Sequence, residues 1–465
     1  MPGHYNSTQL VFLSECMKKT ILTLLLQGLF LSAGHAAAQS AAPVEQAAAD
    51  VKQETENWAI HGQYTTIAQK LNRFRAPYSG ENSLPSGGRT EETTDITLFA
   101  GWRLTPSTEI WINPEIDQGF GVGDTLGAAG YLSGGAYKLG QNQPYLRLPR
   151  VFVRHELALG KTTSAVAGSA NQLAGSRADE RITLTTGRFS VVDIFDNNQY
   201  AHDPRADFLN WSVIDAGAFD YAADVWGYTN GAVLEWNSGE RALRSGVFQL
   251  SPVPNAKIAG VSFDKFMWVT EFEQGYALAG RPGKLRALVF LNRSEMGRYR
   301  DALTLAAQNG QTPDTGSVRR RATQTGWALN WEQEVAENSG VFLRASANRG
   351  EQEAYEFTDI QSSLSGGMLW SGQWWGRPAD KLGLAFAVNA LSADARAYFA
   401  AGGKGLLIGD GRLNYGREQI LETFYRWQWS SALSLSADLQ HIRNPAYNRD
   451  RGPVRAVAVR VHAEF

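Results

Sequence analysis

Cysteine is almost missing from this chain, and the one copy, Cys16, precedes a predicted export signal. In that signal Lys18 and Lys19 supply the positive start, Ile21 to Leu31 the apolar run, and Ala36-Ala37-Ala38 the small residues of a cleavage site. Cleavage after Ala38 leaves a mature chain without thiols, so disulfides and thiolate metal sites are excluded. Met17 is the expected true start, because the stretch before it adds nothing that a signal needs. The apolar run is too short for a membrane helix, which takes about 20 apolar residues, and no such run occurs after it.

An excess of either charge is lacking too. Lys and Arg number 44 against 46 Asp and Glu, and removal of Lys18, Lys19 and Glu15 with residues 1–38 leaves 42 against 45. A chain so near neutrality gives no footprint for nucleic acid. Linker-like breaks are also missing, so the mature part reads as one architecture. Residues 39–56 form a periplasmic lead-in and 57–465 one β-barrel domain.

Aromatic residues are plentiful, with 14 Trp, 16 Tyr and 21 Phe, and they fall in a period-two pattern. Successive side chains of a strand point to opposite faces. At the end of the chain Val457, Val459, Val461, Ala463 and Phe465 share one face, and Arg460, His462 and Glu464 the other. Similar segments of about ten residues, the length of a membrane strand, recur throughout. Trp58-Ile60-Gly62-Tyr64, Ile96-Leu98-Ala100-Trp102-Leu104 and Trp226-Tyr228-Ala232-Leu234-Trp236 are three. The predicted fold is all-β: a transmembrane antiparallel barrel of about 16 strands with inward-folded extracellular loops.

The strands are expected to begin near 58, 93, 109, 149, 181, 221, 241, 264, 284, 322, 340, 358, 380, 418, 432 and 453. Eighteen is the alternative count, because the third, seventh and twelfth segments are weakly patterned. A bulge is expected at Gly187-Arg188, where parity breaks. Tight links such as Thr105-Pro106-Ser107-Thr108 and Asn237-Ser238-Gly239-Glu240 alternate with long connections, as periplasmic turns and external loops do. Trp58, Trp102, Trp236 and Trp429 near strand ends suit an interfacial girdle. Closure is a physical demand, since each unsatisfied backbone group in hydrocarbon costs several kcal/mol.

The inward face mixes Arg, Glu, Asp, Gln and His without a dominant sign. That lining suits a neutral polyhydroxylated solute better than an ion, although the same charges could simply pair across the lumen. Residues 193–226 are dense in carboxylates and rings, which predicts a loop folded into the barrel mouth.

Five stretches resemble the carbohydrate-selective porins of the OprB type, from Gram-negative outer membranes. They are Phe74-Arg75-Ala76-Pro77-Tyr78-Ser79-Gly80, Asn113-Pro114-Glu115-Ile116-Asp117-Gln118-Gly119-Phe120-Gly121, Pro144-Tyr145-Leu146-Arg147-Leu148-Pro149-Arg150, Tyr200-Ala201-His202-Asp203-Pro204-Arg205 with Asp207-Phe208-Leu209-Asn210-Trp211, and Asn444-Pro445-Ala446-Tyr447-Asn448-Arg449-Asp450-Arg451-Gly452-Pro453. The resemblance implies sixteen strands and passive diffusion of mono- and oligosaccharides, with glucose-type sugars usual. It places Glu115, Asp117, Arg147, Asp196, Asp203, Arg205, Asp207, Trp211, Arg449, Asp450 and Arg451 at the solute path or constriction. Strand parity adds Arg154 and Glu156. Asp203 and Asn444 precede prolines, so each also reads as a turn former.

A general porin without sugar preference is the alternative. An enzyme is the rival of another class, yet His61, His155, His202, His441 and His462 stand in no nucleophile-elbow pattern. A plugged receptor needs a far longer segment before the first strand. No cofactor, metal or catalytic residue is assigned. The expected partners are carbohydrates, outer-membrane lipid and lipopolysaccharide, and the assembly machinery that reads a last strand ending at Phe465. A homo-oligomer stays open, and the expected location is the outer membrane.

Overall fold

The computed structural model describes residues 55–136, 140–357 and 359–465. The expected signal and all but Thr55 and Glu56 of the lead-in lie outside these residues.

Alternation becomes eighteen strands: β1 Trp58–Leu71, β2 Arg89–Thr105, β3 Thr108–Gly119, β4 Gln141–Ala158, β5 Thr163–Val166, β6 Gly175–Ala178, β7 Arg181–Phe189, β8 Thr229–Ser238, β9 Arg241–Gln249, β10 Phe266–Leu278, β11 Arg281–Met296, β12 Arg320–Ala336, β13 Ser339–Asn348, β14 Ser362–Gly372, β15 Arg377–Ala390, β16 Glu418–Gln428, β17 Leu433–Arg443 and β18 Val454–Glu464. β5 and β6 pair only with each other, and the other sixteen close into one antiparallel barrel. The seam joins β18 to β1, from Gln63 opposite Glu464 to Leu71 opposite Ala456. Every strand of the barrel therefore has a partner on each side, as a sheet in hydrocarbon requires.

Strand starts agree with the sequence pattern within a few residues at all but two places. β4 begins at Gln141 rather than near 149, and β8 at Thr229 rather than near 221. The early part of β4 escapes a hydropathy reading because it is paired on one side only: β3 is beside it from Gln141, whereas β7 joins at Val151. Pro144 is tolerated there, since a proline costs least where a strand lacks a neighbour.

The expected bulge at Gly187-Arg188 is not found. β7 runs in unbroken register against both β4 and β8. The irregularity lies on β4, where Asn113 faces Arg150 but Glu115 faces Arg147. That extra residue shifts the parity of β4, so Arg147 and Arg150 both turn inward.

Outward positions carry the apolar residues. Trp58 and Trp429 are 63% and 62% exposed, and with Trp102 and Trp236 they ring the end that bears the short turns. The first and last strands also open and close at that end, which in outer-membrane barrels faces the periplasm. At the opposite end, connections such as 190–228, 297–319 and 391–417 are long. Helices Tyr299–Asn309 and Ala393–Ala400 in two of them meet through Tyr299 and Tyr398, whose rings lie 5.0 Å apart. One connection breaks the asymmetry: residues 159–180, at the short-turn end, contain the β5–β6 hairpin.

Candidate functional site

The loop 190–228 leaves β7 and crosses the lumen before β8 begins. A buried loop must satisfy its own peptide groups, and here the inward charges of the far wall do so. Arg344 on β13 donates to the carbonyls of Val213 at 2.9 Å and Ala201 at 2.8 Å. Glu422 on β16 accepts from the amides of Leu209 and Asn210 at 2.5 and 3.0 Å. Arg460 on β18 donates to the carbonyls of Pro204 and Asp207. Shape adds to this: a side chain at Gly340 of β13 would collide with the Tyr200 ring, which lies 2.0 Å from where its Cβ would stand. The loop is thus an internal partition, as residues 193–226 predicted.

Asp196 is one of its anchors. It pairs with Arg344 at 3.2 Å and accepts from Asn330 Nδ2 at 2.7 Å and the Ala216 amide at 2.6 Å. Asp207 is buried on the Arg460 side of the loop, where its carbonyl accepts from that guanidinium. Asp203 forms a turn, its Oδ1 taking the Arg205 amide at 2.9 Å while its carbonyl takes that of Asp207 at 2.7 Å. That turn presents Arg205 to the wall, where it meets Asp95 at 2.9 Å and Glu115 at 3.6 Å.

Glu115 and Asp117 point inward from β3 and are fully buried. Both bind Arg147 of β4, Glu115 at 2.5 Å, and Thr97 Oγ1 donates to Glu115 at 2.7 Å. The Arg147 guanidinium lies over Trp226 and Tyr228, 5.4 and 5.7 Å from the ring centres. Sequence parity had put those rings on the outer face of a strand. They precede β8, so the chain is free to turn them inward against Arg147. Two motifs far apart in sequence therefore build one cluster of acids, guanidinium groups and rings.

Beside this cluster lies a cavity of about 870 Å³. Arg150, Arg154, Arg177, Arg181, Arg205, Arg244, Lys284 and Arg286 line it, with Glu156, Asp193, Asp203, Asp215, Glu235, Glu273 and Glu332. Neither sign dominates, and most of these groups pair: Arg150 with Asp193 at 2.6 Å, Arg177 with Glu156 at 2.7 Å, and Arg286 with Glu273 at 2.7 Å. Tyr131, Trp211, Tyr221 and Phe357 supply an aromatic side, Trp211 stacking on Phe357 at 4.7 Å and on Tyr131 at 5.2 Å. In the loop, burial pushes the Asp215 carboxyl up to about 8, and the neighbouring Asp196 adds to the shift.

The sequence profile of the carbohydrate-selective porin, OprB family, matches residues 81–465. The chain belongs to the OprB family of carbohydrate-selective porins. A structure of OprB from Pseudomonas putida, determined at high pH, superposes with a TM-score of 0.67 at 12% identity, over 88% of this chain and 94% of that one. The outer membrane channel DcaP of Acinetobacter baumannii gives 0.50 at 12% identity, over 88% and 97%. At such identity these likenesses establish the fold alone. No curated protein sequence matches significantly. Family and fold make the protein an outer-membrane channel.

Arg449, Asp450 and Arg451 of this porin sit apart from the cavity, in the last long connection. Asp450 accepts from Tyr78 at 2.8 Å and Asn414 at 2.9 Å. Arg451 is buried, donates to the Leu84 carbonyl at 2.7 Å and pairs with Asp410 at 3.3 Å. Arg449 is exposed, its amide bound to Asn414 at 2.9 Å. These residues join three long connections at the external end. The porin's lumenal wall on β8 to β12, with Glu235, Arg244, Glu273, Arg286 and Glu332, was missed by the motifs. Parity could have found it, since each of these residues lies on the face opposite its strand's exposed apolar residues.

Proposed function

We propose that the porin passes neutral hydroxylated solutes, with mono- and oligosaccharides of the glucose type as substrates. The balanced lining carries this reading. Cations and anions are mixed around the cavity, so neither sign prevails to attract an ion, and a hydroxyl finds donors and acceptors alike. The aromatic side adds an apolar wall, its rings packed against one another, along which the C–H surface of a sugar can pass.

Within this reading, Arg154, Glu156, Asp203, Arg205 and Trp211 contact the solute. Glu115, Asp117 and Arg147 position Arg205, and Asp196 and Asp207 hold the loop. Arg449, Asp450 and Arg451 keep the external connections together, away from the solute. Export would follow cleavage after Ala38, with lipid and lipopolysaccharide around the barrel and the assembly machinery reading the strand that ends at Phe465.

The test is a planar bilayer containing the mature porin, to which glucose or short glucans are added. Sugar should reduce the ion current in a saturable way. A current indifferent to every sugar but blocked by a charged solute would sink the sugar reading, and indifference to both would favour a general porin.

A further inference from the structure

Connections at the short-turn end need only reverse the chain, and Ala158 and Arg181 already face each other as the last pair of β4 and β7. Residues 159–180 nevertheless intervene. Their β5–β6 hairpin turns at Ser169–Gln172, where those two residues pair.

The tip is held inside the barrel. The Asn171 carbonyl accepts from Arg154 Nη1 at 2.9 Å, and its side-chain oxygen accepts from Asn113 Nδ2 at 2.9 Å. Both donors face inward from β4 and β3. Leu173, two residues on, is 2% exposed. Glu56, just before β1, fixes the returning arm: its amide donates to the Ala174 carbonyl at 3.0 Å, and its carboxylate accepts from the Ala174 amide at 2.7 Å. Arg103 locks this contact by donating to the carbonyls of Glu56 at 2.9 Å and Ala174 at 3.1 Å. A segment tied at both its tip and its arm does not swing freely in the periplasm.

Ser169, Ala170, Asn171 and Gln172 line the same cavity as Asp203 and Arg205 of the loop that enters from the other end. Along β3, which runs outward from the short-turn end, the tip is bonded at Asn113 while Arg205 meets Glu115, so the tip lies on the inner side of Arg205. We propose that hairpin 159–180 is a second selecting element, narrowing the inner exit of the cavity and setting, with the external loop, the size of solute that crosses. The inference concerns the path and holds for any solute, so it does not depend on the sugar reading.

Two variants test it by single-channel conductance in potassium chloride, with barrel closure checked by heat-modifiable migration on a gel. In one, residues 159–180 are replaced by Asn-Gly, the tight turn that fits a two-residue hairpin. In the other, Ala170→Trp enlarges the tip. The first should raise conductance about two-fold or more and the second should lower it, as expected when a pore's narrow section is widened or filled. A folded shortened barrel with unchanged conductance overturns the proposal. Should that variant not fold, wild-type conductance in Ala170→Trp overturns it instead. Ion current reads the path alone, so a negative sugar titration would leave this result standing.

Discussion

The ring of Phe465 lies over Gly62, 2.3 Å from where a Cβ on that glycine would stand, and the two residues exchange backbone hydrogen bonds of 2.7 and 2.9 Å. The last residue of the chain thus completes the seam between β18 and β1. A side chain at Gly62 must displace the ring, and overpacking of this kind costs about 1–3 kcal/mol. Gly62→Leu should lower resistance to urea in detergent by that amount, and Phe465→Ala should lower it as well by uncovering the seam. Equilibrium unfolding of both variants measures the effect, and wild-type midpoints would refute the role given to this contact.

Arg147 binds two buried acids, so its loss strips the shared cation from Glu115 and Asp117, with Arg205 remaining 3.6 Å from Glu115. Breaking a buried ion pair from one side costs about 3–5 kcal/mol. Arg147→Met should destabilise the barrel on that scale, whereas the triple replacement of Arg147, Glu115 and Asp117 by Met, Leu and Leu should recover much of the loss. Unfolding curves of the two variants decide it.

Arg344 holds the internal loop by its carbonyls and by Asp196. Arg344→Met should release the loop while leaving the β13 ladder intact. The expected outcome is faster proteolysis between residues 190 and 228 and a larger, noisier single-channel current. A loop as resistant as the native one would show that its other anchors suffice.

Asp215 gives the loop a pH dependence. Its folded-state carboxyl titrates near 8, far above the ordinary value of 3.8, so the folded loop holds a proton that the unfolded loop would release. The linkage sign follows: stability is greatest below 3.8, falls as pH rises between 3.8 and about 8, and is lowest above. Protection factors across 190–228, that is, exchange corrected for its intrinsic base-catalysed rise with pH, should therefore fall from pH 6 to pH 9 in the native porin. Asp215→Asn should flatten that trend, and an unaltered trend would exclude Asp215 as its source.

Much of the barrel was legible because hydrocarbon imposes a local rule. Leu98 and Trp102 must face out while Asp95 and Thr97 face in, and this repeats every second residue with no knowledge of partners. The rule failed where local environment changes within a few residues. Trp226 and Tyr228 keep the spacing of an outer face, yet they lie outside the ladder and turn to Arg147. The bulge was misplaced for a similar reason: Gly187 disturbs the hydropathy pattern without disturbing the register, while Leu148-Pro149 does the reverse.

The family motifs likewise marked important residues without dividing their tasks. Asp203-Pro204-Arg205 and Arg449-Asp450-Arg451 look alike in composition, but the first lies at the cavity and the second joins the external connections. By itself the sequence determined a barrel of about 16 strands, its outward face and the residues available to the lumen, because those follow from alternation and chain length. Only the tertiary structure decided which loop crosses the lumen, which charges spend themselves on its backbone, and that the hairpin 159–180 enters from the other end. Those outcomes rest on pairings between residues on different elements, from Asn113 with Asn171 to Arg344 with Asp196, that no local pattern encodes.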